Sequence, residues 1–199
     1  PHIRLTARVN MAQAHRLLAA QRAAGLPDLT YTHLILRAAA AALRQCPRLN
    51  MLWLEDGPRY RRLHNASVGL AIAGDDHLLV ATIPEPDRLT LSELVRRTAA
   101  AVERGRRGAL SPADLAPAAL TVSNLGMYPV DHFDAIIDPG QTAILAIGRV
   151  AEALIVQDGS IRLGLEMQVT LAVDHRVVDG AEAARFLAAL KNQLESAEV

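Results

Sequence analysis

The spacing of apolar and polar residues changes several times along this chain, and each change marks an element. "IRLTARV" at 3–9 alternates apolar and polar, the period of a half-buried strand. Asn10 is a capping residue type, and "MAQAHRLLAAQRAA" after it predicts a helix over 11–24, stopped by Gly25 and Pro27. Residues 32–46 predict a second, strongly apolar helix, ended by Pro47. "MLWLEDGPRYRRL" (51–63) reads as a hairpin around "EDGP". "ASVGLAIA" (66–73) and "LLVATI" (78–83) read as strands joined through "GDDH".

Thr90 and Glu93 have the spacing of a capping box and open a helix that frays near Gly105 and Gly108. Ser111-Pro112 predicts a short helical turn. "ALTVSN" (119–124) is strand-like and leads into an irregular loop through Pro139-Gly140. "TAILAIGRV" (142–150) is nearly continuous in apolar residues, as a strand buried on both faces would be. Residues 151–175 form a predicted hairpin turned by Asp158-Gly159, and the last helix spans 180–196 with Asp179 or Gly180 at its cap. No linker, repeat or low-complexity stretch divides the chain. The pattern predicts one α/β domain over 1–199, a mixed or antiparallel sheet flanked by helices. No Gly-rich phosphate loop follows the first strand, which argues against a dinucleotide-binding domain.

Composition narrows the function classes. Hydrophobic residues make up 51% of 199 positions and aromatics only 3%, so the core is aliphatic. Twenty-one basic residues balance 21 acidic ones. No basic run with interleaved aromatics points to nucleic acid. "RGRRG" at 104–108 is the densest basic cluster and reads as a solvated helix end. No apolar stretch has the length of a membrane span. The single cysteine, Cys46, cannot form an intrachain disulfide and fits a reducing, cytoplasmic setting. It reads as a buried bystander.

The seven histidines show none of the HxH, HExxH or CxxC spacings of metal sites, so no metal is predicted. His175 stands apart by its setting, in "VDHRVVDG", where a long strand runs out before a helix. A sheet end holds a side chain rigidly while solvent reaches it. Strand alternation turns Asp174 away from His175. Asp179 sits where it can cap the final helix or pair with a cation. A second unusual stretch is "TVSNLGMYPVDHF" (121–133), where Ser123 could be a nucleophile, a hydrogen-bond donor or a turn residue. It lacks the G-x-S-x-G elbow of hydrolases, so a hydrolase built on Ser123, His175 and Asp179 is poorly supported.

Together these stretches carry a resemblance. "LAVDHRVVDGAEAARFLAAL" resembles the D-H-R-x-x-D-G active-site segment of the dihydrolipoamide acyltransferases of 2-oxo acid dehydrogenase complexes. "LTVSNLGMYPVDHFDAIIDPGQTAILAIGRV" is similar to a second segment of that family, S-N-L-G-M followed by A-I-I-x-P and an A-I-L-x-x-G strand. "NMLWLEDGPRYRRLHNASVGLAIA" and "PHIRLTARV" resemble its hairpin and opening strand, so the likeness spans the chain.

The resemblance implies a chloramphenicol acetyltransferase-like fold that forms trimers. It implies acyl transfer between a dihydrolipoyl thiol and coenzyme A. The lipoyl group would be carried on another domain or protein. His175 matches the general base, Ser123 the oxyanion donor and Asp179 the acid that holds the loop. Asn124 and Gly126, in the same motif as Ser123, are the substrate-binding candidates. The site would lie between subunits of a homotrimer, with a lipoyl domain and other components of the complex as partners. "SNLGM" is closest to the pyruvate-type members, which makes acetyl the expected acyl group.

Departures from the family pattern open alternatives. The basic N-terminal arm and the lipoyl and subunit-binding domains are absent from this sequence. "DDHLLVATIPEPD" replaces D-G-L-x-x-P-V-I, with His77 for glycine and Ala81 for proline, which would reshape one edge of the substrate channel. "LESAEV" replaces a leucine-rich tip, and burying those charges would be costly, an argument against a large cubic or dodecahedral core. A carrier-protein phosphopantetheine thiol is the alternative acceptor. A non-catalytic scaffold subunit is the third reading, and it would have no need of His175, Ser123 and Asp179.

Overall fold

The computed structural model describes residues 1–54, 59–74, 78–157 and 159–197. In chain order these form β1 (His2–Asn10), α1 (Ala12–Ala23), α2 (Tyr31–Gln45), β2 (Met51–Leu54), β3 (Arg59–Arg62), β4 (Val68–Ala73) and β5 (Leu78–Ile83). A 3-10 turn at Pro86–Arg88 precedes α3 (Leu91–Arg106), β6 (Leu120–Asn124), β7 (Ala143–Gln157), β8 (Ser160–Asp174) and α4 (Gly180–Ser196). Six strands make one sheet in the order β1-β8-β7-β6-β4-β5, while β2 and β3 pair separately. Only β6 pairs in parallel, with β4 on one side and β7 on the other. The sheet is therefore mixed, as the pattern predicted.

Local chemistry sets the helix starts. The Asn10 side-chain oxygen accepts from the Ala12 amide at 3.0 Å. Thr90 Oγ1 accepts from the Glu93 amide at 3.2 Å, and Asp179 Oδ1 from the Glu182 amide at 2.9 Å. Each satisfies an amide that the first helical turn leaves without a partner. Strand alternation sorts the two sheet faces. Leu120, Val122, Leu145, Ile147, Leu171 and Val173 join the main core with Leu34 and Leu43 of α2 and Phe186 and Leu190 of α4. The opposite face holds a small cluster of Ile137, Ile144 and Ala172.

Two boundaries differ from the sequence reading. β7 does not end near 150 but runs on to Gln157, through a register shift between Ile147 and Val150. The continuous apolar run stops there because the core stops; Leu154, Val156, Ile161 and Leu163 beyond it are exposed. β4 begins at Val68, two residues later than expected. Ser111–Ala116 forms the short helical turn expected there, with the Leu115 amide reaching the Ser111 carbonyl at 3.3 Å. The hairpin turn "EDGP", His77 with Asp75 and Asp76, and Asp158 lie outside the described residues. Gly159 adopts φ +72°, a value glycine tolerates best, just before Ser160, which pairs with Gln157. Ala81 is fully buried in β5 opposite Leu70.

Candidate active site

β8 ends at Asp174 and α4 begins at Gly180, so the loop between them carries His175. The His175 amide donates to the Pro1 carbonyl at 2.9 Å, one step beyond the β1–β8 ladder. Its ring is exposed. The amides of Val177 and Val178 both reach the Asp174 carbonyl at 3.0 Å and close a tight turn. Val177 and Val178 are buried and anchor that turn in the core. Arg48 Nη2 donates to the Val177 carbonyl at 3.2 Å. Asp179 spends its carboxylate on the α4 cap; the Glu182 amide, and then the Arg48 charge, hold it below the usual carboxylate range.

Asp174 turns away from the imidazole, as strand alternation predicts. Its carboxylate accepts from the Arg176 amide at 3.0 Å and from Arg176 Nη2 at 2.5 Å. Burial pushes the Asp174 carboxyl up, but the Arg176 bonds together outweigh burial and hold it below its ordinary value. Sequence reasoning did not find Arg176 or Arg48 as supports of this loop. The arginine inside the motif was visible; its partners depend on tertiary contacts that no spacing reveals.

Ser123 lies on β6 opposite Ala146 of β7, which in turn lies opposite Thr170 of β8. It shares a sheet face with these residues, away from α2 and α4. Among the described residues its hydroxyl has no hydrogen-bond partner, so it is available as a donor. Asn124, one residue on, faces the helices. Its amide donates to Thr32 Oγ1 at 2.9 Å, and its oxygen accepts from the Gly126 amide at 2.7 Å. Asn124 and Gly126 thus shape the loop after β6, and both line a cavity of about 320 Å³ with Tyr31, Ile35 and Met167. A side chain at Gly126 would meet Asn124 Oδ1 and the Gly148 carbonyl, each at 3.0 Å.

One chain does not bring Ser123 and His175 together. From Thr170, which shares a rung with Ser123, His175 lies five residues further along β8 and its end. At ~3.3 Å per residue and ~4.8 Å per strand, the offsets are about 17 Å along the strands and about 10 Å across them. Hydrogen-bond reach is about 2.6–3.2 Å. Asp179, by contrast, shares a loop with His175. Cys46 is buried at the end of α2, and burial pushes its thiol pKa up, consistent with an inert bystander. No described helix is long and apolar enough to cross a membrane.

Comparison with known proteins places this geometry. A family model described as the catalytic domain of 2-oxoacid dehydrogenases acyltransferase matches residues 1–199. The mitochondrial dihydrolipoyllysine-residue acetyltransferase component of the pyruvate dehydrogenase complex of Schizosaccharomyces pombe is 39% identical over 202 residues, covering 98% of this chain and 41% of the relative. The corresponding component of Rickettsia conorii is 37% identical over 162 residues, 81% of this chain and 39% of the relative. The chain thus spans about two fifths of the length of the curated relatives it matches. Among solved structures, dihydrolipoamide acetyltransferase of Azotobacter vinelandii superposes with a TM-score of 0.92 at 27% identity, covering 100% of this chain and 83% of the other. That structure addresses the roles of a serine, a histidine and an asparagine in catalysis. Chloramphenicol acetyltransferase, at 15% identity and a TM-score of 0.62 over 98% of this chain and 86% of the other, shares the fold. The chain belongs to the family of 2-oxoacid dehydrogenase acyltransferase catalytic domains.

Proposed function

We propose that this chain transfers an acyl group, acetyl in the first instance, between a dihydrolipoyl thiol and coenzyme A. The lipoyl group arrives on another domain or protein. His175 takes the proton as the thiol sulfur attacks the thioester carbonyl. Ser123 donates to the developing oxyanion. The tetrahedral intermediate then collapses, the carbon–sulfur bond to the first carrier breaks, and the departing thiolate recovers the proton from His175. A positioned base is worth about 100- to 10,000-fold in such a step, and an oxyanion donor about 100- to 1,000-fold. Asp179 keeps the loop in place through the α4 cap. No serine ester forms, which accounts for the missing hydrolase elbow.

The observation that carries this reading is the separation of Ser123 and His175 within one chain. A half-buried free hydroxyl and an exposed imidazole too far apart to meet form a site only where a second copy supplies the other half. A homotrimer with the site between copies, serving a 2-oxo acid dehydrogenase complex, satisfies that need. The spacing from Ser123 to His175 and on to Asp179 equals that of the serine, histidine and asparagine studied in the Azotobacter vinelandii enzyme.

The test is thioester formation from acetyl-CoA and dihydrolipoamide, for the wild-type protein and His175→Ala. Transfer by the wild type and its loss in the variant are expected. Equal rates would remove His175 as the base. Transfer to carrier-protein phosphopantetheine alone would assign the chain to carrier loading. A folded trimer inert toward every thiol would be a scaffold.

A further inference from the structure

Two side chains flank His175 and grip each other across it. Asp174 is buried, and its carboxylate accepts from the Arg176 amide and from Arg176 Nε, both at 3.0 Å, and from Arg176 Nη2 at 2.5 Å. The bonds bridge the residue before His175 and the residue after it, so they set the backbone turn that presents the imidazole. The guanidinium then lies 4.1 Å from the centroid of the Trp53 ring on β2. A planar cation over an indole face is an attractive contact, and arginine makes it better than lysine because the guanidinium is flat and weakly hydrated.

Trp53 is itself held in place. Its amide donates to the Gly140 carbonyl at 2.9 Å, at a residue whose φ of +83° suits glycine. One residue pair away, Thr142 Oγ1 donates to the Met51 carbonyl, and the Thr142 carbonyl accepts from the Asp174 amide at 2.9 Å. Thr142 is wholly buried and ties the β2–β3 hairpin and the His175 loop to one point. We infer that Arg176 is a positioning residue for the transfer reaction: stacked on Trp53 and forked onto Asp174, it clamps the His175 loop to the β2–β3 hairpin. This rests on the acyltransferase reading above. The Arg176 side chain is 44% exposed, and the loop keeps its core anchors, Val177 and Val178, without it. Loss of the clamp therefore moves the imidazole rather than unfolding the chain.

Trp53 is the single tryptophan of the chain, so its emission reports the clamp directly. Arg176→Met leaves the buried Asp174 carboxylate without its guanidinium, so it should lower the melting temperature as well as shift and broaden that emission, while the protein stays folded at assay temperature and trimer mass stays near wild type. Its kcat should fall by about 10- to 100-fold, the scale of an ångström-sized misplacement, with KM for coenzyme A little changed. Trp53→Ala should repeat the loss, and Trp53→Phe, which keeps an aromatic face, should recover most of the rate that Trp53→Ala loses. Wild-type kcat in Arg176→Met, or equal rates in Trp53→Ala and Trp53→Phe, would overturn the clamp while leaving the acyltransferase reading intact. A wild-type protein that transfers nothing would overturn both.

Discussion

Within one chain, Ser123 on β6 and His175 just past the end of β8 lie two strands across and five residues apart in register. If each site takes one of these residues from each of two neighbouring copies, two inactive variants can repair one another. Ser123→Ala keeps a working imidazole and His175→Ala keeps a working hydroxyl. In a cyclic trimer assembled at random from equal amounts, about one quarter of the sites pair the two intact residues. Dissociated, mixed and reassembled protein should regain about that fraction of wild-type transfer. A mixture no more active than its components would place both residues' work within single chains and sink the shared-site arrangement.

Ser123 should act on the transition state rather than on the bound substrates. Its hydroxyl is uncommitted among the described residues, so removal leaves no buried partner unpaired. Ser123→Ala should lower kcat by about 100- to 1,000-fold, as the loss of one oxyanion donor does. KM for acetyl-CoA and for dihydrolipoamide should change little. Steady-state kinetics with both substrates decide it. A rise in KM at constant kcat would make Ser123 a binding residue instead.

The parts of this fold governed by near neighbours were legible in the sequence. Thr90 with Glu93 and Asp179 with Glu182 are contacts within three residues, and each forms where expected, while Asn10 lies one residue before the Met11 N-cap and accepts from the Ala12 amide. The strand ending at Asp174 and the outward turn of His175 followed from periodicity. The strand order did not, because nothing local says that β6 inserts in parallel between β4 and β7. The continuation of β7 was missed for a related reason. The residues after Val150 alternate because they leave the core, and a change of environment looks like a change of element. The supports of the His175 loop were invisible: Arg48 is 129 positions from Val177, and Trp53 and Arg176 are separated almost as far.

His33 should make stability fall on mild acidification. Its ring is buried at the start of α2, where Nδ1 accepts from the Thr30 amide at 3.0 Å, a bond that requires that nitrogen unprotonated. Burial pushes its pKa below the ordinary 6.5. The unfolded chain therefore binds the proton first, and the stabilisation present above that value is lost as pH falls through it toward the lower folded pKa. Glutamine at this position can keep the reciprocal cap with Thr30 and carries no titrating group. Melting temperatures of wild type and His33→Gln at pH 7.5 and at pH 5.5 should differ in slope, with the variant flatter. Parallel slopes would place the acid sensitivity elsewhere.

Asp114 should matter more for the edge of the sheet than its place in a loop suggests. Its buried carboxylate accepts from Arg104 Nε at 2.8 Å, Arg104 Nη2 at 2.5 Å, the Ser111 amide at 2.8 Å and Ser111 Oγ at 2.7 Å. The Arg104 bond above all holds it far below the usual carboxylate range. The same turn closes over β5, because the Thr82 amide reaches the Asp114 carbonyl at 2.7 Å and Thr82 Oγ1 the Ala116 carbonyl at 2.6 Å. Arg104 is 41% exposed, so solvent screens part of the attraction. Asp114→Asn should cost about 2 kcal/mol at pH 7, below the 3–5 kcal/mol of a fully buried pair broken on one side. A carboxyl with a depressed folded pKa contributes stability above its unfolded value, near 3.9, that is lost as pH falls below it. Urea midpoints for wild type and Asp114→Asn should thus lie well apart at pH 7 and draw together at pH 3. A gap of the same size at both values would mean that the Asp114 charge does not hold the turn.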